Sequence, residues 1–247
     1  MISPRTGFTL IALVTAFTLA SCNATSPAVP EPVANGKHDG APLDLRQTYS
    51  DLGTTGGKVF ELDPKASKVR IYAFRAGRAA KVGHNHVLSA PQFVGFAFLP
   101  SAATATANAR FDLEFRLDQL EIDNPEYRAL LGTAFSSTLT AAAIEGTREH
   151  MLGADNLEAD QFPYVRIHSM QISGESPKFA AKVEVELHGQ KREMWIPLSV
   201  DGLPDHLLVS GSFVLRQTDF GARPYSVLGG LLAVQDEVIV EFSLVGL

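Results

Sequence analysis

The sequence predicts a mainly β domain, a single antiparallel barrel or sandwich carrying a short helical insert. Three observations predict it. Apolar residues alternate with polar ones along several stretches, as in Arg110-Phe111-Asp112-Leu113-Glu114-Phe115-Arg116-Leu117, Lys182 to His188 and Glu237 to Leu244. Period two buries one face of a strand and wets the other, as antiparallel sheets do. About nine such strands fit between residue 58 and the end with short turns between them, the spacing of one barrel or sandwich. The single interruption, near residues 124–153, has helix signals instead.

Taken in order, the strands are expected near residues 59–62, 67–75, 93–99, 110–117, 164–172, 182–188, 193–200, 206–216 and 237–244. In the interruption, Asn124 caps a helix with Pro125 at its first position, and Gly132 stops it. A second helix is expected within residues 138–152, ending at Gly153 and weakened by Gly146. This insert is placed to plug one end of a barrel. Trp195, out of phase with Met194 and Ile196, belongs on the outside. Arg216 and Asp219 flank a tight strand end, where a local ion pair is expected.

The 247 residues include 21 Lys plus Arg and 27 Asp plus Glu, a net charge of −6, with 45% hydrophobic and 19% charged residues. That composition is globular rather than disordered. Its acidic balance argues against nucleic acid as a partner, since phosphate contacts favour a basic surface. The lone cysteine, Cys22, excludes an intrachain disulfide framework and a multi-cysteine zinc site.

Residues 1–21 read as a signal peptide. Arg5 precedes the apolar run Phe8–Ala20, which is shorter than the roughly 18–20 residues a membrane-spanning helix needs. Leu19-Ala20-Ser21-Cys22 resembles a bacterial lipoprotein lipobox, which implies cleavage before Cys22 and lipidation of it. Two or more acyl chains suffice for stable anchoring. With Asn23 following the cysteine rather than an acidic residue, the expected location is the periplasmic side of the outer membrane. Residues 22–57, punctuated by Pro27, Pro30, Pro32 and Pro42 and closed by Gly53, Gly56 and Gly57, read as a flexible tether with a reach of roughly 30 Å. Residues 58–247 form the folded domain.

The alternation also fixes an inward set: Val69, Ile71, Ala73, Phe111, Leu113, Phe115, Val165, Ile167, Val183, Val185, Ile196, Leu198, Phe213, Leu215, Val238, Val240 and Phe242. In a narrow barrel such residues fill the interior, and in a wider one they line a cavity for a single ligand. Strand parity from Val69 carries Arg75 to the same side, where its guanidinium would receive an anionic headgroup. His84 and His86 lie two apart. In an extended segment both face one way and could approach one metal or haem iron, with His150 as the next candidate ligand. No nucleophile elbow, phosphate-binding glycine loop or zinc-protease helix motif occurs, so no residue is assigned a catalytic role.

Four passages are similar to those of the YceI-like family, in the family's order. They are Leu62-Asp63-Pro64 with Ser67-Lys68-Val69, His150 to Leu157 with Phe162-Pro163, Leu187-His188-Gly189, and Arg216 to Gly221. The resemblance implies a lipocalin-like antiparallel barrel closed by a helix, and a non-enzymatic binding protein that holds an isoprenoid or similar long-chain lipid. It brings no resident cofactor. Some relatives of that kind occur beside or fused to membrane cytochromes that use quinones, which makes a membrane cytochrome a candidate partner. The basic, histidine-containing passage Arg75–His86 and the long insert at 124–146 depart from the common pattern. Three functions follow as expectations: a lipid-anchored carrier of an isoprenoid, quinone or fatty acyl amphiphile; a metal- or haem-binding redox accessory using His84 and His86; or an envelope stress or scaffold protein whose barrel is packed solid.

Overall fold

A computed structural model describes residues 40–101 and 108–247. Residues 1–21, read above as a signal peptide, and Cys22 lie outside the described residues. Twelve strands are described: β1 (Gly57–Glu61), β2 (Lys68–Ala76), β3 (His86–Ser89), β4 (Val94–Pro100), β5 (Arg110–Arg116), β6 (Glu121–Ile122), β7 (Tyr164–Glu175), β8 (Lys178–Leu187), β9 (Gln190–Asp201), β10 (Leu207–Arg216), β11 (Ser226–Val227) and β12 (Leu232–Gly246). They form one antiparallel sheet in the order β1-β4-β5-β7-β8-β9-β10-β12-β2-β3-β6, with β11 added on β12. All nine expected strands are present.

The sheet curls until the end of β1 meets the end of β12. Leu62 bridges Gly246, the Glu61 and Leu247 backbones exchange two hydrogen bonds of 3.1 and 3.0 Å, and Asp63 N–H donates to the Val245 carbonyl at 2.8 Å. Strand edges are costly to leave unpaired, and this contact closes one of them. The architecture is therefore the expected lipocalin-like barrel. The β8–β9 hairpin explains the family-like Leu187-His188-Gly189. His188 and Gly189 are the two loop residues, at φ of 50° and 67°, the paired left-handed conformation that tight hairpins require. A Cβ at residue 189 would also lie 2.5 Å from Phe162 Cε1.

Three α-helices are described: α1 (Leu45–Gly53), α2 (Pro125–Leu130) and α3 (Ala141–Leu152). Asn124 caps α2 by accepting from the Glu126 and Tyr127 N–H groups, and Thr140 caps α3, which ends at Gly153 as expected. The α1 helix corrects the reading of residues 22–57 as a flexible tether over its later part, residues 22–39 lying outside the described residues. Asp44 caps it, Leu45 and Tyr49 are buried one turn apart, and Tyr49 stacks on Phe96 at 5.4 Å on the outer face of β4. Its hydroxyl donates to Asp112 Oδ2 at 2.7 Å; burial and that carboxylate push the phenol pKa far up, so the ring stays neutral. Ahead of α1, Arg166 donates to the Ala41 carbonyl at 2.6 Å and Glu114 accepts from Leu43 N–H at 3.2 Å. Residues 41–53 are docked along the barrel's outer face.

A candidate ligand cavity and its polar seam

The barrel is hollow. A cavity of about 580 Å³ runs through it, within the range of small-molecule sites. Of the seventeen inward residues and Arg75, sixteen line it: Val69, Ile71, Ala73, Phe111, Leu113, Phe115, Val165, Ile167, Val185, Ile196, Leu198, Phe213, Leu215, Val238, Val240 and Phe242. Pairing explains why they converge. Phe242 faces Val69, Val240 faces Ile71 and Val238 faces Ala73 across β12–β2, while Leu113 faces Ile167 and Phe115 faces Val165 across β5–β7. Residues opposite one another in an antiparallel ladder point to the same side.

Two placements differ from the expectation. Val183 is fully buried in the core but does not line the cavity; it pairs with Ser169 beside the register break between Ser169 and Gln171 of β7. Arg75 does not line it either. The register against β12 breaks between Val234 and Val238, next to Arg75, and the guanidinium turns to the Gly83 carbonyl at 2.9 Å. Arg216 pairs with Asp236 at 3.2 Å and with Glu237 at 3.7 Å, so the expected Arg216–Asp219 pair gives way to one with the neighbouring strand. Trp195 is outside, about half exposed.

Further lining comes from residues outside that set, among them Phe60, Leu88, Ala97, Leu117, Leu207 and Leu244. Helix α3 contributes Ala143, Gly146, Thr147, His150 and Met151, so the insert does cover one end of the cavity. The same end receives Gln217, Tyr225 and Val234, and the His150 ring lies 4.6 Å from that of Tyr225. Among all these groups the lining is overwhelmingly hydrocarbon.

The two histidines of the Gly83-His84-Asn85-His86 passage part company. His84 Nδ1 lies 3.0 Å from Ser137 Oγ in the insert. His86, the first residue of β3, lines the cavity while its Nδ1 lies 2.6 Å from Asp123 Oδ2. His150 is on α3, with its ring against Tyr225. Among the described residues no group of three or more His, Cys, Asp or Glu side chains could hold a metal ion. The three histidines proposed as alternative ligands thus serve separate contacts.

Asp123 is the residue that sequence spacing missed. It is 1% exposed and adopts φ 55°, a left-handed turn that Asp tolerates better than most residues, delivering the chain from β6 into the Asn124 cap. Its carboxylate accepts from Val87 N–H at 3.0 Å and from Arg128 Nη1 at 2.5 Å as well as facing His86. Burial works to raise its pKa. The His86 contact, the Val87 amide and the Arg128 guanidinium together outweigh that and hold it below the ordinary carboxylate value. Arg128, 7% exposed, also donates to the carbonyls of Asn85 and Ser137 at 2.7 and 3.2 Å, and Asn85 Nδ2 donates to the Ala134 carbonyl at 3.0 Å. The seam between the histidine passage and the insert is a satisfied polar network.

Similarity to known proteins agrees with this architecture. Residues 60–246 match the YceI-like domain family. Among solved structures, Burkholderia cenocepacia BcnA is 15% identical with a TM-score of 0.53, over 74% of this chain and 98% of that one, and shares the fold. A polyisoprenoid binding domain from Saccharophagus degradans implicated in plant cell wall breakdown is 13% identical with a TM-score of 0.48, over 76% and 97% of the two chains. A Campylobacter jejuni YceI protein is 9% identical with a TM-score of 0.44, over 64% and 82%. No curated protein matches the chain. With a family match across 187 consecutive residues, counted from 60 to 246 of the 247, and the hollow antiparallel barrel to accompany it, the chain belongs to the YceI-like domain family.

Proposed function

We propose that the chain is a non-enzymatic binding protein that holds one long-chain amphiphile, of isoprenoid, quinone or fatty acyl type, in the barrel cavity. In the same proposal it is anchored through lipid on Cys22 at the periplasmic side of the bacterial outer membrane. The cavity carries the reading. A wall of Leu, Val, Ile and Phe offers hydrocarbon about 0.8 kcal/mol per methylene removed from water, before ordering costs. A solid core, the basis of the scaffold alternative, is at odds with 580 Å³ of interior space.

Native mass spectrometry of protein purified gently from membranes tests both parts. The expected result is an acyl mass addition on the peptide beginning at Cys22 and a non-covalent amphiphile released on activation. An Ala97→Trp variant, which places a ring in the cavity opposite Phe111, is expected to fold and to lose the guest at least tenfold. Protein free of guest, together with no uptake of any long-chain lipid by the wild type, would overturn the binding function.

A further inference from the structure

Among the polar side chains that line the cavity, which include Arg110, Thr147, His150, Asn156, Gln217 and Tyr225, His86 is set against a buried carboxylate. Across β2–β3, His86 faces Ala73 and Leu88 faces Ile71, and all four line the cavity. Val87, between them, points the other way and is buried in a separate cluster with Tyr72 and Phe135. The His86 ring is therefore an inward side chain, and its two nitrogens have different surroundings. Nδ1 lies against Asp123, a carboxylate that lines no part of the cavity. Nε2, on the far edge of the ring, has no hydrogen-bond partner among the described residues, and the side chain keeps 16% of its surface accessible.

Asp123 stays ionised at neutral pH, and its Oδ1 is already engaged by Val87 N–H and Arg128. A ring nitrogen 2.6 Å from that carboxylate carries the proton, because two acceptors do not approach so closely. In the neutral ring this fixes the tautomer. Nδ1–H donates to Asp123, and Nε2 presents a lone pair to the cavity. An acceptor in an apolar enclosure is left unsatisfied by a hydrocarbon, an ether or an ester, and is satisfied by a hydroxyl.

We propose that His86 is the headgroup-recognition residue of the cavity, held by Asp123 as a hydrogen-bond acceptor, and that it selects amphiphiles ending in a hydroxyl, such as a long-chain isoprenoid alcohol. This rests on the lipid-binding reading above and names the headgroup class within it. The geometry also orients the guest. The hydroxyl lies at the His86 edge of the wall, beside Ala73, and the tail runs along the apolar remainder of the cavity. Asp123 and Arg128 are positioning residues that never touch the guest.

The test uses delipidated full-length protein at pH 8 and a fluorescent hydrocarbon, diphenylhexatriene, as a headgroup-free reporter. Farnesol and farnesyl methyl ether, of equal tail length, are compared as competitors. Farnesol is expected to displace the reporter about five- to tenfold more effectively, the worth of one hydrogen bond made in an apolar site. In His86→Phe the reporter should still bind and the two competitors should become equal. Equal displacement from the wild type overturns the role of His86 while leaving the lipid-binding cavity standing; failure of the reporter to bind the wild type strikes the cavity reading itself. Should His86→Phe not fold, ¹⁵N spectra of the wild-type imidazoles decide. The Nδ1–H tautomer is expected for His86, with an Nε2 shift on adding farnesol but not the ether. The opposite tautomer, or no shift with farnesol, overturns the proposal.

Discussion

Two parts of the barrel treat burial in contrasting ways. Along β8 and β9 the inward side chains Val185, Ile196 and Leu198 are almost wholly removed from solvent yet stop short of filling the middle, leaving the cavity. At the seam where β3 and β6 meet the insert, the buried groups are ionic or polar, and each of Asn85, Asp123 and Arg128 finds partners at 2.5–3.2 Å. An apolar wall tolerates empty space at a cost that grows gradually with the missing contacts. A buried charge does not tolerate a missing partner. The contrast teaches that the strands provide room and the seam provides position: the His86 ring joins the buried network to the cavity, held from behind by Asp123.

The sharpest way to break this comparison is at Asp123. Replacing it by Ala leaves the Arg128 guanidinium buried without its carboxylate and frees the His86 ring. Stability should fall by about 3–5 kcal/mol, the range for breaking one partner of a buried pair. In a domain of this size that corresponds to a melting temperature lower by roughly 6–20 °C. Thermal melts followed by circular dichroism check it, and a loss under about 1 kcal/mol would mean that the seam is not the rigid part.

Acid provides the next, smaller effect. Because the Asp123 pKa is lowered on folding from an ordinary value of 3.8, its contribution is fully present above that value. The contribution is lost as pH falls below 3.8 through the lowered folded value. Urea unfolding of the wild type and of Asp123→Asn between pH 6 and pH 2.5 isolates this group from the other carboxylates. The stability gap between the two proteins is expected to be constant near neutrality and to shrink in the acid range; a gap independent of pH would remove Asp123 as the cause.

Much of this wall was legible in the sequence, and little of the seam was. Period two places a residue inside or outside without any knowledge of its neighbours, so Val69 to Phe242 could be assigned one strand at a time. It fails where a ladder slips, as beside Arg75 and Val183. The helices of the insert were legible from Asn124, Pro125 and Gly153 because caps are local signals. The α1 helix has such a signal too, Asp44 ahead of Leu45, Tyr49 and Leu52, but nine residues amid Pro and Gly give too short a period to stand out. The His86–Asp123 contact spans 37 residues and Arg128–Asn85 spans 43. No spacing rule reaches that far; only the fold brings those groups together.

The smallest effect sharpens the comparison from the cavity side. Phe111 is inward on β5, opposite Ala97, and lines the cavity, so part of its ring faces space rather than packed atoms. Truncating a fully packed Phe to Ala costs about 3–5 kcal/mol, a sum of lost transfer energy and a new void. Here much of the void exists already. Phe111→Ala is therefore expected to cost only about 1–2 kcal/mol while enlarging the chamber, so that guests with longer tails gain affinity relative to shorter ones. Melts paired with competition between C15 and C20 isoprenoid alcohols read both outcomes. A loss near 4 kcal/mol with unchanged chain-length preference would mean that the Phe111 ring is packed on all sides, and that this part of the wall belongs with the close-packed seam rather than with the open chamber.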